Sequence, residues 1–315
     1  MSTAGPLYDA NALVECVPNF SEGQDAAVVH RILSSMAIDG VRLLDYMLDR
    51  DHNRSVITIA GPPAAVQEAA IRAVGAAAEW IDLTRQQGVH PRMGSADVVP
   101  FVPLGGISLE QCALLARQAG REIWRRYGVP IYFYEAAAAR PDRARLEQVR
   151  NGQFEGLREA VRNDPARRPD VGGPELHPTA GATVIGARRF LIAFNVYLDT
   201  ADVGIARAVA REVRHSGGGL LGVKALGVSV RGLAQVTMNI TDFTRVPVGE
   251  VFALVKQKAA KLGVSPARCE LVGLIPEAAL ERESEWVRLI EEFDPKKKVL
   301  EERLARPMEW PEAIK

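Results

Sequence analysis

Cysteine is scarce in this chain. There are three, Cys16, Cys112 and Cys269, in 315 residues, and none forms a CxxC or CxxH pair. An odd number at wide spacing excludes a disulfide framework and a zinc knuckle. Each lies in an apolar run, which points to buried, reduced thiols. Net charge is also lacking, with 39 basic and 39 acidic side chains. A whole-chain basic field for nucleic acid is thereby excluded, and any recognition of charge must be local. No apolar run approaches the roughly 18 residues of a membrane span. The start, Met1 to Ala12, lacks the basic-then-apolar pattern of a secretory signal, so a cytoplasmic location and no membrane partner are expected. GxxxxGK[ST], GxSxG and HExxH are missing, and no metal-ligand cluster is seen, so no metal is expected. Gly217, Gly218, Gly219 and Gly222 precede a strand rather than a helix, which is the wrong context for a pyrophosphate loop.

The chain is long enough for two domains, and its 47% hydrophobic and 25% charged residues suit folded ones. Its clearest feature is an internal echo. Residues 12–20, ALVECVPNF, read as a strand, and 24–37 carry apolar residues at helical spacing. Strands follow at 41–46 and 54–60, then an Ala-rich helix over 62–80 that opens with Pro62-Pro63. After Gly88-Val89-His90-Pro91-Arg92 comes an apolar run, 97–104. From Phe190 the series begins again: strand 190–198, helix 203–215, strands 220–225 and 233–239, helix 247–262, the turn Gly263-Val264-Ser265-Pro266-Ala267-Arg268, and the run 270–275. Asn19 and Asn195 are 176 positions apart, and Gly88 and Gly263 are 175. The near-constant offset points to duplication of one βαββαβ unit, the ferredoxin-like pattern; the alternative is a chance echo between two common α/β runs. The expected class is α+β, with two such subdomains.

Several segments lie outside the echo. A helix over 108–126 and a strand over 129–135 extend the first half. Residues 140–168 hold eight arginines against five carboxylates, a locally basic stretch that also fits a solvated helix face. After Leu280 the chain turns highly charged, and 283–304 read as two short polar helices broken at Asp294-Pro295. The expected boundaries are 1–188 for the first subdomain, 189–280 for the second, and 281–315 for a charged helical tail.

His90 occupies a loop at the mouth of a strand, and histidine is the best acid–base group near neutral pH. Its counterpart in the echo is Ser265, so the two repeats differ at a shared turn. Asp45, Asp49 and Asp51 lie at the end of the second strand and in the loop after it, and any one could orient His90. The most unusual stretch is 169–190, PDVGGPELHPTAGATVIGARRF. Gly181 and Gly186, with Arg188 and Arg189 after them, suggest a lining of small residues, backbone donors and fixed positive charge; an interdomain linker fits equally well.

Four segments together, ECVPNFSEG (15–23), LLD with HNRSV (43–45 and 52–56), GVHPRMGSADVVPFVPL (88–104) and PDVGGP through GATVIGARRFLIAFNVYL (169–198), resemble the glutamate formimidoyltransferase family. The resemblance covers about Ala12 to Leu280. It implies two ferredoxin-like subdomains with a folate tunnel between them, a homodimer, and tetrahydrofolate as co-substrate without a metal. It implies transfer of a formimino group from N-formiminoglutamate to N5 of tetrahydrofolate, with His90 as acid–base and Asp45 near it. It also implies that Asp170, Gly172, Pro174 and Arg188 bind folate, though Val171-Gly172-Gly173-Pro174 is one residue longer than the family's usual PDFGP. Both substrates carry carboxylates, so Arg188, Arg140 and Arg54 are the expected clamps. The bifunctional mammalian relatives continue into a cyclodeaminase domain, and deamination of the product is not expected of this sequence. Formyl transfer from N-formylglutamate, cyclisation of formyl-tetrahydrofolate, a non-catalytic folate module and a purely structural oligomer are the alternatives.

Overall fold

A computed structural model describes residues 8–50, 52–88 and 91–311. The chain forms two compact units. The first comprises the described residues up to Arg188 together with those from Pro307, and the second is Arg189–Arg306.

In the first unit, β1 (Leu13–Cys16) and β2 (Asn19–Phe20) are one strand interrupted at Val17-Pro18. They are followed by α1 (Ala26–Met36), the hairpin β3 (Arg42–Asp49) and β4 (Arg54–Gly61), α2 (Pro63–Trp80) and β5 (Ala96–Gly105). Then come α3 (Leu109–Tyr127), β6 (Ile131–Glu135), the short α4 (Leu146–Val149), α5 (Gln153–Asn163) and β7 (Thr183–Ala187). Local chemistry sets the helix ends. The Asp25 side chain accepts from the first N–H groups of α1. Ser108 and Gln111 form a capping box on α3, whose other end stops at Gly128.

Across the sheet the order is β3, β4, the β1–β2 strand, β5, β7 and β6. The first four are antiparallel, and β5, β7 and β6 run parallel. Alternation along the strands separates two faces. Val14, Cys16, Ile57, Ile59, Val99 and Phe101 join the apolar sides of α1, α2 and α3 in the main core. On the other face Val98, Tyr132, Tyr134 and Val184 are covered by Val149, Leu157 and Val161, from α4 and α5. Parallel strands buried on both faces read as the continuous apolar runs seen at 97–104 and 129–135.

The second unit contains β8 (Ile192–Leu198), α6 (Val203–Val213), β9 (Val223–Val230), β10 (Leu233–Ile240), α7 (Val248–Ala260) and β11 (Pro266–Val272). Its sheet order is β11, β8, β10, β9, antiparallel throughout. With β5, the β1–β2 strand, β4 and β3 in the corresponding places, both units share one βαββαβ connectivity and one strand order. The first unit adds β7 and β6 beyond β5.

Three elements differ most from their expected limits. β3 runs on to Asp49, past the expected end at 46, because its pairing with β4 continues to Asp49 opposite Arg54, so Asp49 lies in the strand and not in the loop after it. β9 begins at Val223 and runs to Val230, since the glycines before it form a turn and the pairing with β10 is long. β11 runs from Pro266 to Val272 rather than over 270–275, because its pairing with β8 starts inside the second GVSPAR turn, at Pro266 opposite Leu198; Arg268 there stacks on the Tyr197 ring of β8 with its guanidinium carbon 4.0 Å from the centroid. The charged stretch after 280, expected as a helical tail, divides between the units. It forms α8 (Glu285–Arg288), α9 (Pro295–Lys298) and α10 (Leu300–Ala305), and buries Trp286 edge-on against Phe194 at 5.4 Å in the second core. In the first unit the Met308 N–H donates to the Leu43 carbonyl at 2.8 Å.

Candidate functional site

The turn between α2 and β5 carries the GVHPR segment. Val89 and His90 lie outside the described residues, as does Asp51. Their flanks are held by a dense polar network. A Cβ on Gly88 would lie 2.7 Å from the His52 carbonyl and 3.1 Å from the Asn53 Cβ, so glycine lets this turn close on the β3–β4 loop. Asn53 ties that loop in place: its Oδ1 accepts from the Gly23 N–H at 2.9 Å, and its Nδ2 donates to the Gln87 carbonyl at 2.7 Å. On the far side, buried Arg92 donates to Gln86 Oε1 at 2.6 Å and to Glu155 at 2.9 Å. Asp97, 3% exposed, accepts from the Met93 N–H at 2.8 Å and pairs with Arg150.

A small polar cavity sits within this network, lined by Asn19, Phe20, Ser21, Asn53, Arg54, Arg92 and Asp97. Arg54 is its distinctive group. Its guanidinium donates to Asn19 Oδ1, and its enclosed Nε has no acceptor. Arg92 and Arg150 each have a carboxylate partner, Glu155 and Asp97. Among the described residues, Arg54 is paired with a neutral amide instead. Burial and the Arg150 charge hold Arg54 down to about 10, opposed by Asp97 and Asp49, so it stays cationic at neutral pH. An enclosed guanidinium with an orphan donor can receive a carboxylate oxygen.

The other expected site residues fall in several places. Asp45, half-buried, lies on β3 opposite Thr58, just past a bulge. It is four residues from Asp49, about 13 Å along an extended strand. Asp49 itself holds His52, with Oδ2 2.7 Å from Nδ1. Arg188 follows β7, its N–H donating to the Phe101 carbonyl at 3.0 Å. Its charge faces Glu15 on β1. Glu15 is 2% exposed, and burial pushes its carboxyl up to about 7 against the pull of Arg188. Arg140 is at the surface, 2.6 Å from Asp142. The Asp170 side chain, 8% exposed, lies 2.6 Å from Arg143 and accepts from the Phe133 N–H at 2.7 Å. Gly172, at φ +84°, lies against the Trp124 ring, and Pro174 follows a cis bond. Gly181, at φ +69°, passes the Met93 carbonyl at a Cβ distance of 2.3 Å, and Gly186 lies against Tyr134. The small residues of 169–190 thus admit the chain's own backbone and rings.

The structure therefore brings Arg54 into one cavity with Arg92 and Asp97, which follow His90 in the sequence, and leaves Arg140 and Asp170 in pairs of their own. Sequence reasoning passed over Asn53, Arg92, Asp97 and Arg150. Arg92 and Asp97 lie in the GVHPRMGSAD run, so proximity to His90 was the available signal. For Arg150 there was none, because its partner is 53 residues away.

Comparison with known proteins agrees with these observations. Residues 13–188 match the model of the formiminotransferase domain, N-terminal subdomain, and 193–291 match that of the formiminotransferase domain. The chain is 44% identical over 295 residues to a glutamate formimidoyltransferase from Streptococcus pyogenes, covering 93% of this chain and 98% of that one. It is 43% identical over 288 residues to the Thermoplasma acidophilum protein of the same name, covering 90% and 94%. Identity to the mouse formimidoyltransferase-cyclodeaminase is 38% over 277 residues, 85% of this chain but 51% of that protein. This chain belongs to the formiminotransferase family.

Proposed function

We propose that the chain is a glutamate formimidoyltransferase, moving the HN=CH– group from N-formiminoglutamate to N5 of tetrahydrofolate and releasing glutamate. The observation that carries this reading is a match covering 98% of a glutamate formimidoyltransferase at 44% identity. The folate is a co-substrate and leaves modified.

N5 is a secondary amine and attacks the amidine carbon, forming an N5–C bond. The tetrahedral intermediate then breaks its C–N bond to glutamate, a poor departure unless that nitrogen is protonated. His90 takes the N5 proton and returns one to the glutamate nitrogen, a service worth about 10²–10⁴ in rate. Arg54 supports the role of a carboxylate clamp, through its unused donor and its place beside the turn. Holding the two substrates in line supplies much of the remaining acceleration. Arg188 is a second cationic candidate and Asp45 the orienting carboxylate. Among the described residues no helix is long and apolar enough to cross a membrane. A homodimer in the cytoplasm is part of this reading.

The test mixes the purified chain with tetrahydrofolate and N-formiminoglutamate and follows 5-formimino-tetrahydrofolate, with His90→Ala alongside. Turnover lost in the variant while folate binding persists supports the assignment. Turnover with N-formylglutamate alone would move it to formyl transfer. Undiminished turnover in the variant would remove His90 from the chemistry.

A further inference from the structure

The second unit carries a polar cluster on the sheet face opposite its core. Phe194, Val196, Ala234, Val236, Cys269 and Leu271 point into that core. The alternate positions Asn195, Tyr197, Gln235 and Glu270 therefore share the other face. Glu270 lies directly across from Asn195, and Gln235 directly across from Tyr197. Their side chains converge on one atom. Glu270 Oε2 accepts from Asn195 Nδ2 at 3.0 Å, from the Tyr197 hydroxyl at 3.1 Å and from Gln235 Nε2 at 3.5 Å. Asn195, Tyr197 and Gln235 are 7%, 3% and 4% exposed, so these donors are out of water and committed to the carboxylate.

Two features separate this from an ordinary structural ion pair. Arg268, stacked on Tyr197 and paired with Glu291 at 3.3 Å, acts on Glu270 through its charge, while the hydrogen-bond donors on Glu270 are neutral. Only one oxygen is used: among the described residues no donor reaches Oε1. Burial, then the Glu270 charge, raises the Tyr197 phenol and keeps it a donor. The carboxylate is thus fixed in orientation by neutral donors, with one oxygen open. That oxygen can accept N–H groups from one edge of a planar N–C–N unit, and such charge-assisted bonds are the strong ones.

The duplication makes the same point. Asn195 holds the place in β8 that Asn19 holds in the first unit. Asn19 presents its oxygen to a cation, Arg54, and Asn195 presents its nitrogen to an anion, Glu270. One ancestral asparagine supports opposite charges in the two copies. One suits a ligand carboxylate and the other a ligand N–H edge.

We propose that Glu270, held by Asn195, Tyr197 and Gln235, is a binding site for an N–C–N donor edge of the substrates. The inference rests on the function proposed above, under which two groups offer that edge: the 2-amino and N3–H of the tetrahydrofolate ring, and the formimino group of the donor.

The test uses the full chain and compares wild type, Glu270→Gln and Glu270→Asp. Three quantities are measured: the Kd for tetrahydrofolate, the Kd for a 2-desamino tetrahydrofolate, and the KM for N-formiminoglutamate. If the ring is the ligand, Glu270→Gln loses about tenfold or more in tetrahydrofolate affinity. The 2-desamino compound, which keeps N3–H, then binds wild type more weakly than tetrahydrofolate does and loses less in the variant, and Glu270→Asp recovers part of the loss. If the formimino group is the ligand, the KM for the donor rises by a similar factor at unchanged folate Kd. The wild-type comparison of the two folates reads the ring arm even where the glutamine variant folds poorly. Unchanged constants in the variants of an active chain overturn this inference alone. A wild-type chain that neither binds tetrahydrofolate nor turns over a donor overturns the proposed function and the inference together.

Discussion

Glu15 makes the stability of the first unit depend on pH in a way its isostere removes. The carboxyl sits on β1 at 2% exposure, and burial moves it from 4.5 to about 7. A raised folded-state pKa means the native state holds its proton more tightly than the unfolded chain does. The associated stability is complete below about 4.5 and is lost as pH rises through about 7. Each tenfold difference in proton affinity between the two states is worth about 1.4 kcal/mol, so the loss is about 3 kcal/mol. Glu15→Gln keeps the shape and cannot ionise. Wild type and variant are therefore expected to differ by less than about 1 kcal/mol near pH 5, and the variant to be more stable by about 3 kcal/mol at pH 8, on the order of 5–10 °C in Tm. Neighbouring groups do not blur the difference. Burial drives the Cys16 thiol up and the Tyr134 phenol to about 12, so both stay neutral across this range. The assay is urea unfolding of both proteins from pH 5 to 8, read as the difference at each pH. A difference that stays flat, or that grows in favour of wild type as pH rises, refutes the reasoning.

Three further outcomes are expected. Asp170→Ala strands Arg143 in a buried site and should cost about 3–5 kcal/mol in urea unfolding, whereas Arg140→Ala, which removes an exposed pair, should change stability by less than about 0.5 kcal/mol. Trp286→Ala, which empties the packing against Phe194, should cost about 3–5 kcal/mol and appear as a large fall in Tm. Arg54→Ala should raise the KM of one carboxylate-bearing substrate about tenfold, with Arg54→Lys recovering only part because lysine lacks the planar fork; an unchanged KM for both substrates removes Arg54 from binding.

The sequence by itself determined the element types, the repeat and the family. Periods of about 2 and 3.6 residues are written locally, in runs such as 54–60 and 24–37, so strands and helices were legible with small errors at their ends. The repeat was legible because both copies keep their elements at one offset, and the same strand order appears in both sheets. The turn with His90 stood out because its counterpart carries Ser265. What only the tertiary structure decided is who meets whom. Asp170, which the resemblance marks for folate binding, also pairs with Arg143 at 2.6 Å, a partner no local pattern announced. Arg150 read as one of eight arginines in a locally basic stretch until the end of α4 was found to set it on Asp97. Glu270 gave no local sign, because its three donors lie on β8 and β10, 35 to 75 residues away. The charged composition after 280 concealed Trp286, since one large apolar side chain outweighs many solvated charges in deciding where a segment docks. Local periodicity specifies an element, whereas the pairing of buried charges follows from which strands become neighbours, and that information is spread over the whole chain.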